Sequence, residues 1–87
     1  MTQFDPNSFV PLYIQIAQIL RENIQDSIYK PGEKLPSEKE LEVKFGISRI
    51  TAISALDELV NERLAYRERG RGTFVAQPMI GDLSFFS

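Results

Sequence analysis

Ser37-Glu38-Lys39-Glu40-Leu41-Glu42-Val43-Lys44-Phe45-Gly46-Ile47-Ser48-Arg49-Ile50-Thr51 carries the end marks of two successive helices. Ser37 followed by Glu40 is a Ser-x-x-Glu capping box, in which each side chain satisfies the other's free backbone amide. Leu41 and Phe45 give that helix a narrow apolar face, and Gly46 supplies the left-handed residue that stops it. Only Ile47 and Ser48 intervene before a third helical pattern, with Ser48 as its N-cap and Ala52, Ala55, Leu56, Leu59 and Val60 as its buried stripe. Two helices joined by a short turn containing glycine describe a helix-turn-helix.

Outward from this centre the pattern stays regular. Upstream, Pro11 is placed at a helix start, where a missing amide hydrogen is harmless. Leu12, Ile16, Ile19, Leu20 and Ile24 then form one apolar stripe, with Gln15, Gln18, Arg21, Glu22 and Gln25 elsewhere on the wheel. Tyr29-Lys30-Pro31-Gly32 ends that helix. Downstream of Leu64 the period becomes alternating, so Leu64–Glu68 and Thr73–Ala76 read as strands with Arg69-Gly70-Arg71-Gly72 between them. The expected architecture is α+β: a winged helix-turn-helix, three helices followed by a two-stranded β-hairpin wing. It occupies residues 10–76, after a flexible arm at 1–9 and before a linker at 77–87 that ends with the apolar Leu83, Phe85 and Phe86.

Composition narrows the function. At 87 residues the chain supports one small core. It has neither histidine nor cysteine, which removes the commonest general base, the strongest common nucleophile, any disulfide and any thiolate metal site. Glu38, Glu40 and Glu42 cluster without metal-ligand spacing, so neither catalysis nor a metal or cofactor is expected. No apolar run approaches the roughly 18 residues needed to span a bilayer, and the N-terminus lacks a signal-peptide pattern; the expected location is the cytoplasm. The formal charge is −2 and the pI about 5.0, against the basic balance usual in nucleic-acid binders. Its distribution differs from its sum. Residues 63–75 hold four arginines and one acid, a local +3, whereas residues 1–62 hold six basic and ten acidic groups, a local −4.

On the third helix the buried stripe leaves Ile50, Ser54, Asp57 and Asn61 outward, with Arg49, Thr51 and Ile53 on the flanks. The start of such a helix enters the DNA major groove. Arg49 suits a two-bond contact with guanine. Ser48, Thr51 and the free N-terminal amides suit phosphate. The plainer alternative makes Ser48 a cap alone and Arg49 a surface arginine. Ile50 and Ile53 read equally as partners of thymine methyl groups or, for Ile53, as packing against the wing or first helix. At the wing, Arg69 and Arg71 beside two glycines would let the backbone approach phosphate while guanidinium groups reach a minor groove. An ordinary basic hairpin is the alternative there. For the whole domain, a winged-helix protein-interaction module is the second reading beside DNA binding.

Leu35-Pro36-Ser37-Glu38-Lys39-Glu40-Leu41, Phe45-Gly46-Ile47-Ser48-Arg49-Ile50-Thr51, Ala55-Leu56-x-x-Leu59 and Tyr66-Arg67-x-Arg69-Gly70-Arg71-Gly72-Thr73-Phe74-Val75 together resemble the N-terminal domain of GntR-family repressors. Val10-Pro11-Leu12-Tyr13-x-Gln15-Ile16 and Leu83-Ser84-Phe85 are most similar to the HutC branch. The resemblance implies a metabolite-responsive repressor, acting as a homodimer on a two-fold symmetric double-stranded DNA operator. Dimerisation and small-molecule effector binding would belong mainly to a C-terminal effector domain absent from this chain, towards which 77–87 would lead. By motif position the DNA contacts would fall on Lys39, Ser48, Arg49, Thr51 and Ser54, and in the wing on Arg69, Gly70, Arg71, Gly72 and Thr73. Three residues depart from the family pattern. Lys39 stands where arginine is common, Ile53 where a DNA-contacting arginine often lies, and Arg63 where glycine is usual.

Overall fold

A computed structural model describes residues 9–77, as three helices and a two-stranded antiparallel sheet. The expected arm and linker lie outside the described residues apart from Phe9 and Gln77, as do Leu83, Ser84 and Phe85.

Helix α1 runs Leu12–Gln25 behind Pro11 as its N-cap, whose carbonyl accepts from Ile14 N and Gln15 N. Its stripe buries Ile16, Ala17 and Leu20, with Leu12, Tyr13 and Ile24 packed alongside and Ile19 half-buried. Gln15 departs from the polar-face expectation: it is 8% exposed, and its Nε2 donates to Val10 O at 2.8 Å. The bond offsets burial of the amide and ties the incoming chain to the helix. The helix also stops earlier than Tyr29–Gly32. Ser27 adopts φ 64°, its N–H donates to Ile24 O and the Ile28 N–H donates to Asn23 O. These bonds satisfy the last carbonyls in a Schellman arrangement, with Ser27 in the left-handed position that glycine usually takes.

Helix α2 runs Glu38–Phe45, and its capping box is closed in both directions. Glu40 N donates to Ser37 Oγ at 3.0 Å, and Ser37 N donates to Glu40 Oε1 at 2.8 Å. Gly46 ends the helix at φ 64°. Ile47 then drops into the core at 8% exposure, so the turn is pinned by an apolar side chain as well as by glycine. Helix α3, Arg49–Asn61, starts behind the Ser48 cap and buries Ala52, Ala55, Leu56 and Leu59. It packs on α1, α2 and the first strand, which makes it the centre of the molecule. Side chains such as Ile16, Leu41, Leu56 and Leu59 are almost wholly buried. Each contributes about 1.5–3 kcal/mol, more than any single surface polar bond. At the far end of α3, Arg21 of α1 grips Glu62 with Nε donating to Oε1 at 2.8 Å.

Strands β1 (Ala65–Glu68) and β2 (Gly72–Val75) pair antiparallel, Ala65 opposite Val75 and Glu68 opposite Gly72. Gly72 therefore belongs to the ladder, and the connecting turn is Arg69-Gly70-Arg71. Ala65 and Val75 anchor the hairpin base in the core, and the Tyr66 and Phe74 rings stack at 5.8 Å between centroids. The free edge of β2 is also occupied. Gly32 N donates to Val75 O, Val75 N to Glu33 O and Leu35 N to Thr73 O, each at 2.8–2.9 Å. The approach to α2 is thus laced along the wing, with Lys34 opposite Phe74. Among the described residues no helix is long and apolar enough to cross a membrane.

Candidate nucleic-acid interface

The N-cap Ser48 is exposed, and its Oγ accepts from Thr51 N at 3.1 Å and donates to Thr51 Oγ1 at 2.9 Å. This reciprocal use holds both hydroxyls at the mouth of α3, beside amides that have no partner within the helix. Arg49 follows with 75% of its side chain exposed, and Ser54 one turn on is half-buried.

The wing residues assemble separately. Lys39, Arg69, Gly70, Arg71, Gly72 and Thr73 line one open groove of about 490 Å³ between α2 and the hairpin. Gly70 and Gly72 take φ 75° and 128°, a region that side-chain-bearing residues disfavour, so the tight tip depends on them. Thr73 is placed unlike its neighbours. At 4% exposure its side chain faces inward, and its carbonyl is engaged by Leu35 N. Arg71 Nη1 lies 3.1 Å from Glu68 Oε1, and its guanidinium sits over the Phe74 ring. Arg69 and Lys39 have no ion pair among the described residues.

Two groove residues were not singled out by sequence. Lys34 reaches the groove because its segment pairs with β2, and its Cε lies against Gly72, 2.7 Å from where a β-carbon would stand. Arg67 is the other. Its Nη2 donates to Asp57 Oδ1 at 2.6 Å and to Ile53 O at 3.3 Å, and its Nη1 lies 3.4 Å from Glu38 Oε2. Arg67 stood in the basic stretch and in the wing motif without a role assigned to it; Lys34 gave no signal, since Glu33-Lys34-Leu35 is too short to show a period. The groove lining counts five cations, Lys34, Lys39, Arg67, Arg69 and Arg71, against Glu38 and Glu68, a local +3.

Glu38 joins the two halves. While Oε2 holds Arg67, Oε1 lies 3.7 Å from Arg49 Nε. The start of α3 and the wing groove therefore adjoin, with the carboxylates of Glu38 and Asp57 at the seam. A positive, glycine-tipped groove beside an exposed arginine on a capped helix start is suited to a polyanion with readable edges.

A family model described as bacterial regulatory proteins, gntR family, matches residues 12–75, from the first residue of α1 to the last of β2. The chain is 49% identical over 69 residues to the HTH-type transcriptional repressor NagR of Bacillus subtilis, covering 79% of this chain and 28% of NagR. It is 44% identical over 68 residues to the histidine utilization repressor of Klebsiella aerogenes, covering 78% of this chain and 28% of that one. The crystal structure of AraR(DBD) in complex with operator ORX1 is similar with a TM-score of 0.77 at 37% identity, covering 87% of this chain and 93% of that one. The chain spans under a third of the length of the two curated relatives.

Proposed function

Because the chain belongs to the gntR family of bacterial regulatory proteins, we propose that it is the DNA-reading domain of a metabolite-responsive repressor. It acts as a dimer on a two-fold symmetric operator in the cytoplasm. Relatives named as repressors and a domain of the same fold in complex with an operator support this reading. The length of those relatives supports a further domain for effector binding and dimerisation. No catalytic, cofactor or metal chemistry enters the proposal.

The observation that carries it is the contact of Glu38 with both Arg49 and Arg67, which sets the α3 start beside the positively lined wing groove. In the proposed complex the first turns of α3 enter the major groove, and Arg49 gives two hydrogen bonds to a guanine. Ser48, Thr51 and Ser54 hold phosphate around it. Lys39 and the Arg69–Thr73 wing, through backbone amides and guanidinium groups, track the flanking backbone and minor groove. Lys34 joins them by position. Thr73 would take part through its main chain, since its side chain is covered.

Arg49→Ala tests the central assignment. It should cost about 1–3 kcal/mol on the specific site and less on random DNA. Equal loss on both would make Arg49 a phosphate contact. The acidic total, −2 overall, favours a protein-interaction module as the second reading; absence of DNA binding at low salt would select it.

A further inference from the structure

Ile50 is the second residue of α3 and is 76% exposed, between Arg49 and Thr51. Ile53 is half-buried, and its carbonyl is held by Arg67. The two isoleucines that sequence leaves equal are therefore unequal in the folded chain: one is presented at the mouth of the helix, the other is partly covered. A β-branched residue on an exposed helix start is poorly explained by helix propensity or by core packing. Its stiff side chain would lose little rotamer freedom on meeting a partner. Ile28 and Val43 are also exposed, but neither adjoins the candidate contacts on α3.

We infer that Ile50 determines specificity by packing on the C5-methyl group of a thymine next to the base read by Arg49. The inference rests on the DNA reading given above and deepens it. Among the base edges in the major groove, the thymine methyl is the apolar group. An exposed apolar side chain continuous with polar base and phosphate contacts has that complementary chemistry available to it. The contact would impose an A·T requirement at one position of each half-site, adjacent to the guanine of Arg49.

The test separates this contact from DNA binding in general. A site is first selected from random duplexes by the full chain, and each thymine is then replaced singly by deoxyuridine, which deletes only the methyl. At one thymine per half-site the substitution should weaken binding about three- to tenfold. Ile50→Ala, which favours helix, should lose a similar factor on the thymine site and become indifferent to deoxyuridine there. Ile53→Ala should keep the deoxyuridine penalty. Tolerance of deoxyuridine at every position, or a penalty that persists in Ile50→Ala, would overturn the inference while leaving DNA binding intact. Failure to select any site would overturn the DNA reading and this inference with it.

Discussion

Arg63 holds φ 64° at the end of α3, with its N–H donating to Val60 O and the Leu64 N–H to Leu59 O. This is the Schellman arrangement that also closes α1 at Ser27, and glycine fits its left-handed position without a β-carbon penalty. The glycine usual in the family at this place is thus a backbone requirement that this chain meets with arginine at some cost. Arg63→Gly should stabilise the domain by about 1 kcal/mol, raising the thermal midpoint by several degrees for a domain of this size. An unchanged or lower midpoint would mean that the arginine side chain contributes more than the strained φ costs. Because Arg63 is exposed and outside the wing groove, DNA affinity should stay the same. The departure was visible in the sequence; its cause was not, since φ is a property of the folded turn. Gln15 is the converse case, a polar residue on a helix whose burial depends on the bond to Val10 O.

At the scale of elements, what was legible is what is local. Ser37, Glu40, Gly46 and Ser48 signal helix ends through bonds spanning three or four residues, and each stands where its spacing implied. The pairing of Gly32–Leu35 with β2 was not legible, because it joins segments some forty positions apart and its partner strand carries no mark of a second neighbour. Lys34 was lost from the candidate site for that reason, and Arg67 because its partners lie on two other elements. The capping box makes a pH-dependent prediction. The Ser37 backbone N–H, followed by its side chain, holds the Glu40 carboxyl below its ordinary value. A carboxylate favoured in the folded state contributes stability above the unfolded pKa and loses it as pH falls through the folded one. The midpoint difference between the parent and Glu40→Ala should therefore be largest at neutral pH and shrink progressively in acid. A difference that stays constant with pH would show that the ionised carboxylate is not what caps α2.

For the whole molecule, net charge and function point in opposite directions until charge is placed in space. A total of −2 suggests weak attraction to DNA, yet the groove lining carries +3. Screening confines each charge to about 8 Å at physiological salt, so the local figure governs phosphate contacts. Not all five groove cations are equally available. Arg67 is neutralised by Asp57 and Glu38 and serves to brace β1 against α3. Lys34, Lys39 and Arg69 have no ion pair among the described residues, and Arg71 would have to leave Glu68. Three to four phosphate contacts per domain predict a slope of log K against log salt of about −2.7 to −3.6, at about −0.9 for each contact. Affinity per domain should then fall roughly 40- to 150-fold from 50 to 200 mM salt. Arg69→Ala should reduce the steepness by about 0.9 and weaken specific and random DNA alike. Arg67→Ala should leave the slope unchanged if its guanidinium is a brace, and would lower it by about one contact if that group meets phosphate. A slope near zero for the parent would refute the wing groove as a phosphate track, whatever Arg49 reads.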